Sequence, residues 1–312
     1  MGCFAMDGFI TPIHKISLNN NNNHFYMKRD DLLPFSFGGN KARKALYFFN
    51  DILDNGFDTV VTYGASSSNH CRIIANLAIK YGLACYIISP NENYIPTYNS
   101  RLVEMFHAKI IKTSVDTVSS TINETLKKLN KSCKPYFIQG GGHGNLGTQA
   151  YVDAYGEICD YEEKTNLKFD YIFHASGTGT TQAGLVVGQF QRKRPDQKII
   201  GISIARTLER GRKVIIDSIN DYLNGVSQEI DGYVNFIDSY ISGGYGKVNM
   251  DIIETVKSVL KNDGIALNTT YTGKAMYGME KYIVENDIKN KNILFINTGG
   301  TPLFFDDLER YV

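Results

Sequence analysis

Glycine-containing turns, a set of hydroxyl side chains and one oddly placed lysine carry most of the chemical information in this chain. Ala175-Ser176-Gly177-Thr178-Gly179-Thr180-Thr181 follows the apolar run Tyr171–Ala175 and precedes a helical stretch with Ala183-Gly184-Leu185 in its first turns. Glycine lets backbone N–H groups approach a ligand. The positive end of the helix converges on the same point, a geometry that suits a phosphate. A Walker loop needs Gly-Lys-Ser/Thr and a dinucleotide fingerprint needs G-x-G-x-x-G, whereas Thr178, Thr180 and Thr181 stand where those motifs have glycine or lysine. The expected ligand is a monophosphate held by hydroxyls and backbone without a cationic clamp. A plain tight turn would leave the threonines unexplained.

Gly38-Gly39-Asn40-Lys41-Ala42-Arg43-Lys44 opens an apolar helix that continues through Ala45, Leu46, Phe48 and Phe49. A cation at a helix N-terminus opposes the macrodipole by roughly a few tenths of a kcal/mol unless the amine is neutral or in use. A closed site that depresses the amine pKa is what Schiff-base chemistry needs. A solvated basic turn accounts for Lys41, Arg43 and Lys44 at least as well on local grounds. In Tyr63–His70, Ser68, Asn69 and His70 bring a hydroxyl, an amide and an imidazole to another helix start, a natural pocket for a carboxylate, although serine and asparagine are also ordinary N-caps. Gly243-Gly244-Tyr245-Gly246 and Asn297-Thr298-Gly299-Gly300 complete the set.

Hydrolytic alternatives fare poorly. Gly-x-Ser-x-Gly and His-Glu-x-x-His are absent, and the six histidines show no ligand spacing, so no metal site is expected. Cys71 beside His70 reads as core packing, because adjacent helix residues point apart.

The elements that must position these residues alternate. β-rich runs at Thr59–Tyr63, Cys85–Ser89, Ile110–Thr113 and Pro135–Gln139 are separated by helical spacing at Asn69–Tyr81 and Val118–Leu129. A second series has strands at Tyr171–Ala175, Lys198–Ala205, Val234–Ile237 and Asn292–Thr298, with helices near Gln182–Gln191, Asp251–Lys261 and Gly273–Glu285. The class is α/β, with two open, mainly parallel twisted sheets flanked by helices. A small domain over residues 50–150 is expected to sit inside a large one built from residues 1–49 and 151–312, with the site in the cleft between them. Asn19–Asn23 reads as a polar hairpin tip.

With 312 residues, 43% hydrophobic and 21% charged, the chain is not a disordered one. A net charge of +1 gives no footprint for nucleic acid. Apolar stretches such as Ile293–Ile296 fall far short of the roughly 20 residues a membrane span needs, and the first residues lack a secretory pattern. The expected location is cytoplasmic, without membrane contact. Five scattered cysteines without a C-x-x-C pair write neither a disulfide framework nor a zinc knuckle.

Taken in order, these motifs resemble the fold-type II (tryptophan synthase beta-like) pyridoxal-phosphate enzymes, specifically the D-cysteine desulfhydrase and 1-aminocyclopropane-1-carboxylate (ACC) deaminase family. The likeness runs from Thr11-Pro12-Ile13 through Lys28-Arg29-Asp30-Asp31, the Gly38–Lys44 segment and Ser68-Asn69-His70 with Arg72. It continues through Ala175–Gly184, Gly244-Tyr245-Gly246, Asp263-Gly264-Ile265, Tyr271-Thr272-Gly273-Lys274-Ala275 and Thr298-Gly299-Gly300. The resemblance implies pyridoxal 5'-phosphate as cofactor, with Lys41 holding it as a Schiff base, Asn69 facing the ring hydroxyl and Gly177, Thr178, Gly179, Thr180 and Thr181 cradling the phosphate. Thr298 would approach the pyridine nitrogen. Ser68, Asn69 and His70 would border a small amino-acid substrate at its carboxylate, Tyr245 and Tyr271 would flank it as acid–base or positioning groups, and a homodimer is implied.

Residue 272 separates the subfamilies, since the ACC deaminases carry glutamate in this segment and the desulfhydrases threonine; this chain has Thr272. Without a carboxylate near the pyridine nitrogen the ring is a weaker electron sink, which favours expulsion of a β-leaving group over ring opening. The expected reaction is α,β-elimination: the amino acid displaces Lys41, the freed amine or a tyrosine removes the α-proton, and the aminoacrylate hydrolyses to pyruvate and ammonia. Two segments depart from the family pattern. Gly141-Gly142-His143-Gly144-Asn145-Leu146-Gly147 puts a histidine in a loop beside the substrate, where His143 is either a contact or a loop residue, and Leu267-Asn268-Thr269 replaces Leu-Asp-Pro. The competing readings are ACC deamination, a β-replacement synthase and a non-catalytic cofactor-binding protein.

Overall fold

The computed structural model describes residues 9–312 except 19, 66, 92–95, 226 and 227. Its strands are β1 (Ile13–Lys15), β2 (His24–Arg29), β3 (Thr59–Tyr63), β4 (Ala84–Pro90), β5 (Lys109–Thr113), β6 (Pro135–Ile138), β7 (Tyr171–Ser176), β8 (Lys198–Ser203), β9 (Asn235–Ile237) and β10 (Asn292–Asn297). Its helices are α1 (Asn40–Asp54), α2 (Asn69–Lys80), α3 (Tyr98–Met105), α4 (Val118–Leu129), α5 (Asn145–Thr165), α6 (Thr180–Gln191), α7 (Leu208–Leu223), α8 (Gln228–Asp231), α9 (Met250–Asp263), α10 (Thr272–Glu285) and α11 (Thr301–Asp306).

Six strands form one sheet in the order β1-β2-β10-β7-β8-β9, and four form another in the order β5-β4-β3-β6. Every pairing is parallel except that of β1 with β2. Parallel strands are covered on both faces and therefore read as unbroken apolar runs. β10 shows this: Ile293 through Ile296 are fully buried, and Phe295 sits in register between Met27 and Phe173. The β1–β2 connection turns through Asn21 and Asn22, both at positive φ, which asparagine tolerates. This is the expected polar tip, although Asn19 lies outside the described residues.

The boundary drawn at residue 50 falls inside α1. Ala42, Ala45, Phe48, Phe49 and Ile52 of that helix share one apolar cluster with Val60 of β3, Ile73 and Leu77 of α2, and Ile87 of β4. The other face of α1 is polar and buried. Arg43 donates to Asp30 (2.8 and 3.1 Å) and to Glu157 of α5 (2.5 Å), while Lys28, Tyr151 and Thr11 close the network on the same two carboxylates. Burial pushes Asp30 up, but Arg43 and Lys28 outweigh it and hold the carboxyl at about 2. The Lys28–Asp31 motif is therefore a buried anchor for α1 rather than part of a ligand site.

Candidate active site

The C-terminal ends of both parallel sheets face a common cavity of about 430 Å³, the place where open α/β sheets bind ligands. The turns after β3, β6, β7, β8 and β10 all contribute to its wall, and so does the start of α1. Backbone contact sets the position of α1. Gly39 (φ 95°) and Gly299 (φ 84°) meet so closely that a Cβ on Gly299 would lie 2.5 Å from the Gly39 Cα, and one on Gly39 would lie 2.6 Å from the Thr298 carbonyl oxygen. No side chain fits there, and positive φ excludes most residues anyway. Asn40 N–H donates to the Thr298 carbonyl (2.9 Å), which fixes the first turn of α1 against the end of β10.

Lys41, in that first turn, lines the cavity, and burial lowers its amine to about 8. Asn69 faces it from α2. Ser68 caps α2 by accepting from Cys71 N–H (3.3 Å) and still lines the cavity, so its capping and site roles coexist. Cys71 is buried in the apolar core and its thiol is pushed up to about 12 by burial, which rules it out as a nucleophile near neutral pH.

His70 also lines the cavity, but with the polarity opposite to that expected. Thr62 has one hydroxyl proton, and it goes to the Ile138 carbonyl (2.7 Å), so the contact between Thr62 Oγ1 and His70 Nε2 (2.8 Å) must be donated by the histidine. Burial, with Lys41 and Lys44 adding to it, lowers His70 to about 3. The ring is neutral, its proton is on Nε2, and Nδ1 is left as an acceptor. Such a ring has no N–H to offer a carboxylate; it suits a donor such as an amine.

At the end of β7, Gly179 (φ 92°) is the N-cap of α6 and supplies no side-chain cap. The first amides of that helix are thus left for an anion. Gly177, Thr178, Gly179 and Thr181 line the cavity; Thr180 is fully buried behind them and bonds His143 Nδ1 at 2.5 Å. His143 is held on the far side of this turn and does not reach the cavity wall. The sequence pattern suggests no cationic clamp at this turn, yet one cation stands beside it. Arg206 lines the cavity and donates from Nε to the Gly177 carbonyl (2.8 Å). Lys44, one turn beyond Lys41, is fully buried outside the cavity wall, with its Nζ over the Tyr151 ring (5.9 Å) and without a hydrogen-bond partner, and burial together with Lys41 drives its pKa well down. Its spacing from Lys41, i to i+3, is a signal the sequence carried.

Opposite the α1 start, Tyr245 and Tyr271 join hydroxyl to hydroxyl at 2.5 Å with their rings edge to face. Burial, then the neighbouring phenol, raises Tyr271 well above the usual tyrosine range. A phenol so raised stays protonated near neutral pH, so it can donate a hydrogen bond but does not act as a base. Asn268 sets Tyr271 in place, accepting from its N–H (2.8 Å) while its own amide donates to Thr272 Oγ1 (3.1 Å) and the Gly299 carbonyl (3.0 Å). Thr272 is fully buried in this knot, whereas Thr298 reaches the cavity.

Comparison with known proteins gives a consistent picture. Residues 6–299 match the family described as pyridoxal-phosphate dependent enzyme. The chain is 33% identical over 311 residues to a D-cysteine desulfhydrase of Yersinia pestis, covering 96% of this chain and 93% of that protein. It is 30% identical over 309 residues to one of Serratia proteamaculans, covering 96% and 93%. Among solved structures, one described as an ACC deaminase homologue superposes with a TM-score of 0.83 at 30% identity, covering 96% of this chain and 92% of that one. An O-acetyl serine sulfhydrylase of Entamoeba histolytica, at 17% identity and a TM-score of 0.69 over 97% and 89%, shares the fold.

Proposed function

The chain belongs to the pyridoxal-phosphate dependent enzyme family, and we propose that within it the protein catalyses α,β-elimination on D-cysteine, releasing pyruvate, sulfide and ammonia. The observation that carries this reading is the pairing across one cavity of an amine lowered to about 8, Lys41, with the hydroxyl-to-hydroxyl pair of Tyr245 and Tyr271, of which Tyr271 is raised by burial.

The cofactor is pyridoxal 5'-phosphate, and the residues present fit it. The uncapped start of α6, the Thr178 and Thr181 hydroxyls and Arg206 suit the phosphate, and Asn69 suits the ring hydroxyl. When bound, the cofactor supplies the electron sink for the bond broken at Cα. Lys41 would hold it, and Lys41 Nζ, once free, is the group matched to take the Cα proton near neutral pH. Tyr271 and Tyr245 would donate to the departing sulfur. Ser68 and the first amides of α2 would receive the substrate carboxylate, while His70 Nδ1 would accept from the substrate amine. Thr298, a neutral hydroxyl at the end of β10, would face the pyridine nitrogen, which keeps the sink weak and favours elimination.

Among the described residues no helix is long and apolar enough to cross a membrane. The reading includes a cytoplasmic location, expected from the sequence pattern, and a homodimer, implied by the family resemblance; sedimentation of the purified protein measures the latter. The deciding experiment is keto acid and sulfide release by the cofactor-loaded protein from D-cysteine, with L-cysteine and ACC in parallel. Pyruvate and sulfide from D-cysteine, abolished in Lys41→Ala, is the expected result; 2-oxobutyrate from ACC would overturn it.

A further inference from the structure

Lys274 is fully buried in the second residue pair of α10, and among the described residues no carboxylate pairs with it. Its Nζ donates instead to three backbone carbonyls: Gly244 (2.7 Å), Ile241 (2.9 Å) and Ile204 (3.4 Å). An ammonium has three protons and no acceptor capacity, so this set uses it fully. Ile204 lies just beyond β8 in the cavity wall, and the other two carbonyls bracket the loop that leads to Tyr245.

That loop needs support. Ser242 (φ 49°), Gly243 (84°), Gly244 (122°) and Gly246 (68°) all sit at positive φ, and a Cβ on Gly244 or Gly246 would meet nothing within 4 Å. Backbone in sparsely populated regions persists where its surroundings over-determine it. The same carbonyls that accept from Lys274 close the two turns around Tyr245: Gly244 N–H donates to Ile241 (3.0 Å) and Lys247 N–H to Gly244 (3.3 Å). The ammonium therefore sits at the focus of both turns and ties them to α10, whose N-cap is Tyr271.

We propose that Lys274 is a positioning residue, an internal cation that shapes the Ile241–Lys247 loop and so sets the Tyr245 hydroxyl against that of Tyr271. It does not line the cavity. What makes it effective is charge: three carbonyl dipoles aimed at one point repel one another unless a cation stands there. With the ammonium removed, the same three oxygens form a vacant site for a small monovalent cation bearing N–H donors.

The test is Lys274→Met in the cofactor-loaded protein, read by amide hydrogen exchange over residues 241–247 and by turnover. Loss of one charge-assisted hydrogen bond corresponds to about tenfold or more. The Gly244 and Lys247 amides should exchange at least that much faster than in the wild type, with the cofactor's visible absorption retained. Ammonium chloride should slow the exchange again, and tetramethylammonium chloride, which has no N–H, should not. Wild-type exchange in the variant, or faster exchange that ammonium leaves unchanged, overturns the proposal. Tyr245→Phe is read alongside, because it removes the phenol pair and leaves the clamp; fast exchange there would mean that the phenols hold the loop and Lys274 does not, whether or not Lys274→Met folds. The functional consequence, a turnover fall of about tenfold with little change in KM, rests on the elimination reading. Exchange needs no substrate, so failure of that reading leaves the loop measurement intact.

Discussion

Asn99 decides which way Asn69 points. The Asn99 amide, fully buried on α3, donates to Asn69 Oδ1 (2.9 Å) and to the Ser67 carbonyl (2.7 Å). Because Asn69 Oδ1 is thereby taken, its NH₂ is left as the end that faces the cavity, the right polarity for an anionic ring oxygen. Asn99→Leu keeps the volume close and removes the restraint. The cofactor dissociation constant, measured by titrating apoprotein at the visible band, should rise about tenfold, the worth of one hydrogen bond; an unchanged value would separate Asn69 from the cofactor.

Lys41 predicts the pH dependence of cofactor uptake by the apoprotein. Only the free amine attacks an aldehyde, and burial has lowered this amine to about 8. Uptake should quicken as pH rises toward 8 and level off above it. A rate that climbs steadily through pH 10, as an ordinary lysine would give, contradicts the buried setting.

Thr272→Glu does not convert the enzyme into an ACC deaminase. Thr272 accepts from both Asn268 nitrogens in a fully buried knot, away from the cavity wall. A carboxylate placed there is desolvated without a cation to pair it, a defect of about 3 kcal/mol. The apparent melting temperature should fall by several degrees, and ACC should yield no 2-oxobutyrate.

Asp30→Asn tests the anchor beneath α1. Breaking a buried ion network from one side costs about 3 kcal/mol in urea unfolding at neutral pH. In the wild type the Asp30 carboxyl is held at about 2, below its unfolded value. Its contribution is therefore complete above the ordinary carboxylate range near pH 4 and is lost as pH falls toward 2. The variant should show no such loss in that window beyond what the other carboxylates contribute.

Much of this arrangement was legible. Strands such as Thr59–Tyr63 and helices such as Val118–Leu129 coincide with the observed elements, because apolar runs and helical spacing report burial directly. The glycine pairs at 38–39 and 299–300 marked real backbone contacts. α5, the longest helix of the described residues, escaped: Ala150, Tyr151, Val152, Ala154 and Tyr155 are all buried, because its neighbours α1 and α6 cover different sides, and burial all round erases a periodic stripe. α3 and α7 were not anticipated either, and α3 carries Asn99. The tautomer of His70 could not be read, since it depends on Thr62 and Ile138 from two other strands. Nor could Lys274 be distinguished from a solvated lysine by its neighbours in sequence.

The place of β10 bears on how the molecule comes into being. This strand, the last in the chain, lies between β2 and β7 near the middle of the six-stranded sheet. Until residues 292–297 leave the ribosome, the N-terminal hairpin has nothing to pair with and the wall formed by Thr298 and Gly299 does not exist. The four-stranded sheet, contained within residues 59–138, can close long before. The pairing of β10 with β2 is a contact of high sequence separation and correspondingly slow formation. A chain that has not yet reached residues 298 and 299 holds Lys41 without the surface that seats it, so assembly of the cofactor site waits on β10.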